Sequence, residues 1–168
     1  MPDKPLHEKK FNQDLDVEEK LGEGAILAKF FIEVQGNDKE VAKKALDKTI
    51  YDNLLQEARA YVLEVKMFDL EKYEGTEKKK NYFSGVAEVR ILVDDFPSFV
   101  NVIMRYGPSA VEILHPEEVK LNYEEMHTLV SDVSALAQVY ASKIMTMLKD
   151  PERKVLYDEM LGEKDNKD

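Results

Sequence analysis

Two hydrophobic periods take turns along this chain. Residues 25–35 (AILAKFFIEVQ) alternate, with Ile26, Ala28, Phe30, Ile32 and Val34 on one side and Lys29, Phe31 and Glu33 on the other. Period two with β-forming side chains predicts a strand. Gly36-Asn37-Asp38 breaks it, and Asp38 is placed to cap a helix. Val41, Ala42, Ala45, Leu46, Ile50, Leu54 and Ala58 then recur at helical spacing among lysines and acids. Alternation returns over 60–69, where Tyr61, Leu63, Val65 and Met67 are expected on one face, and again over 82–93. A polar stretch containing Gly75 joins these two strands as a hairpin. Asp95 and Pro97 open a second helix carrying Phe99, Val100, Val102, Ile103 and Tyr106. Gly107-Pro108 ends that helix. A short strand over 109–114 follows, and VKL at 119–121 reads as an extension of it. The last helix starts at Asn122, with Glu125 completing a capping box, and runs to Asp150-Pro151. Its stripe is Met126, Val130, Val133, Ala137, Tyr140, Ile144 and Met147.

The order βαββαβ predicts an α+β domain of the ferredoxin-like kind: a four-stranded antiparallel sheet, two helices on one face, and an additional long C-terminal helix. The expected divisions are a loose arm over 1–24, the domain with its helix over 25–150, and a short helix and tail over 151–168. The sheet face away from the helices is expected to carry Phe31, Val62, Phe68, Tyr82, Val86, Leu92, Val111 and Ile113 among Lys29, Glu64, Lys66, Glu88 and Arg90. That is more apolar than a face left in water, so either the long C-terminal helix or a second subunit is expected to cover it. The last helix is about 39 Å long at 1.5 Å per residue, whereas strands of five to six residues span only about 20 Å. Part of its stripe therefore needs other cover. The expected partner is a second copy of the chain, through this helix or the outer sheet face. The arm (Phe11, Leu15, Val17) and the segment from Pro151 to Leu161 are the competing covers.

Composition narrows the function classes. There is no cysteine, which removes thiol chemistry and cysteine-ligated zinc. A net charge of −10 opposes binding to phosphate backbones, and the run Lys78-Lys79-Lys80 reads as a solvated hairpin loop. No apolar run is long enough to span a bilayer. The polar first twenty residues suit a cytoplasmic chain. Abundant Lys and Glu without Cys or Trp are compatible with a thermophilic source.

Residues 85–140 resemble the C-terminal extension of WYL-domain transcriptional regulators. The likeness rests on Arg105-Tyr106-Gly107-Pro108, Val111-Glu112-Ile113-Leu114 and Pro116, between a strand-helix pair and a long final helix. The resemblance implies a ferredoxin-like fold and a role in sensing or binding ligands. No helix-turn-helix and no WYL motif precede it, so a DNA-binding role is not implied.

The chain carries no nucleotide-binding glycine loop and no nucleophile elbow. His115 and His127 lie near Glu117, Glu118, Glu124 and Glu125, but without metal-ligand spacing, so no metal and no cofactor is expected. Asp94-Asp95 and Asp14/Asp16 are paired carboxylates, and Asp95 already has a capping task. Ser84-Gly85 sits within a strand, where glycine marks a bulge or a close approach. The candidate ligand residues are Arg90 and Arg105, which flank the second helix and could clamp an anion. The leading expectation is a non-enzymatic, oligomeric binding or regulatory module. The alternative is a small enzyme with a carboxylate- or arginine-centred site for an anionic substrate.

Overall fold

A computed structural model describes residues 4–74, 81–152 and 155. The lysine run at 78–80 and most of the segment after Glu152 lie outside the described residues. The chain divides into two units, Met1–Asn122 and Tyr123–Asp168.

The first unit is an α+β domain. Its strands are β1 (His7–Lys10), β2 (Ile26–Gly36), β3 (Ala60–Met67), β4 (Glu71–Glu74), β5 (Asn81–Val93) and β6 (Ala110–His115). Its helices are α1 (Val17–Gly22), α2 (Lys39–Asp47) and α3 (Phe96–Tyr106). The sheet order is β1-β3-β5-β2-β6, with β4 also paired to β5, and every pairing is antiparallel. The four expected strands are therefore joined by two more. Residues 119–121 do not extend β6, which ends at His115 just before Pro116.

The core lies on one face of the sheet. Ile26, Ala28, Phe30 and Ile32 of β2 and Ala87, Val89, Ile91 and Val93 of β5 meet Leu46, Ile50, Leu54, Phe99 and Val102. Phe30 and Phe99 pack with ring centroids 5.8 Å apart. The caps form where the sequence places them: Asp38 accepts from the Val41 N–H at 2.9 Å and Asp95 from the Ser98 N–H at 2.8 Å. Gly107 closes α3 at φ 53°, a left-handed conformation that costs glycine least.

The stretch after α2 departs from an ordinary helix for a readable reason. Ala42, Leu46, Ile50 and Leu54 are all buried and all four residues apart. In an α-helix each such step drifts about 40° around the axis. Lys48–Asn53 instead forms a π-helical segment, followed by a 3-10 turn at Leu54–Gln56. The wider turn keeps the buried residues on the core side.

Strand β3 contains the main deviation from simple alternation. Val62 pairs with Ile91 and Glu64 with Arg90, so Leu63 is an extra residue. The bulge exchanges the faces. Val62, Val65 and Met67 enter the core, while Tyr61 and Leu63 turn to the other side. Uninterrupted alternation would have put Tyr61, Leu63, Val65 and Met67 together. Val62 thus leaves the expected outer set. Val111 and Ile113 leave it too, since they pair with Phe30 and Ala28 and so share the helix-bearing side.

The bulge also receives the N-terminal segment. Residues 7–22, expected within a loose arm, form β1 along β3 and then α1. The Phe11 N–H donates to the Leu63 carbonyl at 2.9 Å, and Asn12 Nδ2 donates to the Val62 carbonyl at 2.8 Å. Asn12 has φ 47°, a conformation asparagine tolerates better than most residues. Leu15, Val17 and Leu21 then pack on Ala25, Leu27 and Leu92, covering one end of the outer face. The elements were hard to read because β1 is four polar, exposed residues and α1 only six residues long. Elsewhere the outer face mixes charged residues with half-buried Phe31 and Val86, which stay where alternation puts them. Lys66 bridges Glu64 and Glu88, each at 3.2 Å, and Lys29 meets Glu112 at 3.3 Å.

The second unit contains α4 (Tyr123–Met147), a helix of 25 residues. Met126, Val130, Val133, Tyr140, Ile144 and Met147 follow its 4-3 spacing, and no residue of α4 is buried.

Two substitutions test this account. A Cβ at Gly85 would lie 2.8 Å from Cγ of the buried Leu70. Gly85→Ala is expected to cost about 1–3 kcal/mol in urea unfolding, as overpacking does. Asn12→Ala removes a hydrogen bond and a tolerated left-handed residue. It is expected to cost about 1–2 kcal/mol and to raise amide exchange selectively over 7–22.

Candidate functional site

A cleft supplied with polar groups lies where the π-helical segment meets the end of α3. Its volume is about 790 Å³, and Thr49, Asp52, Asn53, Gln56, Glu57, Arg105 and Tyr106 line it. The helix contributes Thr49, Asp52 and Asn53 because its π turn shifts them relative to the buried Ile50 and Leu54. Gly107 ends α3 immediately after Arg105 and Tyr106, which leaves both at the rim.

Glu57 is the hub. Arg105 Nη1 and the Tyr106 hydroxyl both donate to Glu57 Oε1, each at 2.6 Å. Burial alone would raise the Glu57 pKa, but the bonds from Tyr106 and Arg105 outweigh it and hold the carboxylate below its ordinary range. Burial, then the bond to Glu57, push the Tyr106 hydroxyl up to about 12. The Glu57 carboxylate raises Arg105 in turn. Asp52 and Glu57 against Arg105 leave the lining one negative charge in excess. Such a lining repels a free anion and suits a neutral polar or cationic molecule.

The two arginines singled out in the sequence are not brought together. Arg105 stands at the end of α3, on the helix side of the sheet, bonded to Glu57. Arg90 is exposed on the opposite face, between Lys29 of β2 and Glu64 of β3. The cause is strand parity. Val89 and Ile91 are core residues, so Arg90 between them must point away from α3. Glu57, which completes the Arg105 cluster, was missed because it comes from a turn 48 residues earlier in the chain. No local spacing announces that pairing.

Three of the four paired carboxylates, Asp16, Asp94 and Asp95, have structural partners. Asp16 caps α1 by accepting from the Glu19 N–H at 3.0 Å. Asp95 caps α3 and also pairs with Arg59, while Asp94 accepts from Lys20 Nζ at 3.2 Å. Lys20 stands over the Tyr61 ring, 5.4 Å from its centroid. These contacts tie α1 to the β5–α3 junction. Among the described residues no group of three or more His, Asp or Glu side chains is placed to hold a metal, and no helix is long and apolar enough to cross a membrane.

The cluster predicts a pH response with a definite sign. The folded pKa of Tyr106 lies above its ordinary value of 10, so its contribution is complete below pH 10 and is lost as pH rises toward about 12. Glu57 acts at the acid end. Its folded pKa is below 4.5, so its contribution is present above that value and is lost on further acidification. Tyr106→Phe is expected to cost about 0.5–1.5 kcal/mol at pH 7 and to flatten the loss between pH 10 and 12. Urea midpoints measured across that range check both effects.

No curated protein matches this chain. No solved structure matches it either. The model of one family, described as the MJ0538 family, matches residues 27–161, which run from β2 through α4 and beyond. On that match the chain belongs to the MJ0538 family.

Proposed function

We propose that this chain is a non-catalytic binding module that acts as an assembly of copies of itself, joined through α4. The observation that carries this reading is the stripe on α4. Met126, Val130, Val133, Tyr140, Ile144 and Met147 lie on one side of a 25-residue helix of which no residue is buried. Each Å² of apolar surface left in water forgoes about 25 cal/mol. The heptad-like spacing suits a second helix crossing at a shallow angle of about 20°. The competing cover by the arm loses support, since Phe11, Leu15 and Val17 are already engaged within the first unit.

The fold reading supports a module of this kind. The four strands β6-β2-β5-β3 run antiparallel in that order, with α2 and α3 packed on one face. That order supports the reading of a split βαβ, ferredoxin-like domain, a fold that hosts many binding functions. The likeness of residues 85–140 to the extension of WYL-domain regulators points the same way. The enzymatic alternative, with an anionic substrate, has less behind it. Arg105 is committed to Glu57, and the excess charge of the cleft is negative.

Sedimentation velocity at micromolar concentration tests the reading. A species of twice the chain mass or more is expected, and a monomer of 19.4 kDa would overturn it. Ile144→Glu puts a carboxylate on the stripe and is expected to weaken association roughly a hundredfold, equivalent to about 2.7 kcal/mol, without loss of the fold by circular dichroism.

A further inference from the structure

The two ends of the strand order β1-β3-β5-β2-β6 are built differently. The β1 edge reads His7-Glu8-Lys9-Lys10, all exposed, and such charge discourages another strand from pairing there. The β6 edge reads Ala110-Val111-Glu112-Ile113-Leu114-His115 and contains no lysine. Among the described residues β6 pairs with β2 alone, so its second edge is unpaired. Val111 is 37% exposed, Ile113 50% and Leu114 40%. The single carboxylate, Glu112, is held by Lys29 of the neighbouring strand at 3.3 Å. An unguarded edge of this composition invites a further strand.

We infer that β6 pairs antiparallel with β6 of a second copy, about a two-fold axis at Ile113, so that two sheets become one. The inference rests on the self-association reading above and assigns it a second contact. Opposed residues in an antiparallel pair share a face, which limits the symmetric registers to those centred on a residue. Centring on Glu112 sets two carboxylates directly opposite, which is destabilising. Centring on Val111 leaves only residues 110–112 paired within the strand. Centring on Ile113 pairs residues 111–115, stacks the two Ile113 side chains and sets Glu112 against Leu114 of the other copy. No like charges then face each other. Two-fold pairing also closes, whereas β6 against the lysine-bearing β1 of another copy would propagate without end.

The strand pair by itself is small. Five paired residues form a strip about 17 Å long and about 4.8 Å wide, far smaller than the roughly 800 Å² per partner that a stable dimer buries. The strand pair is therefore a contact in addition to the α4 association proposed above.

The chain has no cysteine, so a single introduced thiol reports on one position. At the axis the two Cα atoms would be about 4.5–5.5 Å apart, within disulfide range. Full-length Ile113→Cys, Glu112→Cys, Val111→Cys and Val41→Cys chains are oxidised at micromolar concentration and read on non-reducing gels. Ile113→Cys is expected to form a covalent dimer roughly a hundredfold faster than Val41→Cys, which sits on the solvent side of α2 and reports random collision. Fastest cross-linking at Glu112→Cys or Val111→Cys would overturn the register and with it the inference. If the unmodified chain sediments as a dimer while Ile113→Cys cross-links no faster than Val41→Cys, the strand pairing is wrong and the helix pairing stands. A monomeric unmodified chain removes both.

Discussion

The ladder between β2 and β5 is the constraint on which the first unit depends. Its register runs without a slip from Ile26 opposite Val93 to Gly36 opposite Phe83. Every second residue on both strands of its first half is buried against the helices. A slip of one residue would turn Phe30 and Val89 out to water and bring Lys29 and Arg90 into the core. That penalty far exceeds any local preference. It fixes where α3 can seat Phe99, and the outer strands β3 and β6 inherit their positions from it.

The bulge at Leu63 shows how a small departure from that pattern organises what surrounds it. One extra residue turns Tyr61 and Leu63 toward α1 while Val62, Val65 and Met67 stay in the core. The carbonyls of Val62 and Leu63, displaced from a regular ladder, accept hydrogen bonds from Asn12 and Phe11. The N-terminal segment then crosses to the outer face, where Leu15, Val17 and Leu21 meet Leu27 and Leu92. The remaining outer surface is held by charge pairs that lose little in water and gain little from burial. The apolar outer face that alternation suggested is thus divided between a covered end and a remainder where charge pairs surround Phe31 and Val86.

A similar division separates the arginines. Arg105 is drawn to Glu57 because the π-helical segment keeps Leu46, Ile50 and Leu54 on the core and brings the turn after it beside the end of α3. The charge on Glu57 and Arg105 strengthens the two short hydrogen bonds at Glu57 Oε1. Arg90, one residue out of phase with the core, is sent to the far side of the sheet.

Much of the first unit was legible in sequence. Period two over 25–35 and 82–93, Asp38 and Asp95 ahead of helical spacing, and Gly107-Pro108 behind it are local signals, and local backbone physics acts on neighbours in the chain. The stripe of α4 was equally legible, since 4-3 spacing is a property of one helix. Tertiary structure decided the rest. Leu63 became a bulge because β3 must match both β5 and the incoming arm, and no residue type announces that. Residues 7–22 became ordered elements because β3 and Leu92 were there to receive them. Glu57 met Arg105 across 48 residues, a pairing with no local spacing to reveal it. Sequence determines which faces are apolar; only the assembled sheet decides what each face meets, because burial is settled by contacts between residues distant in the chain.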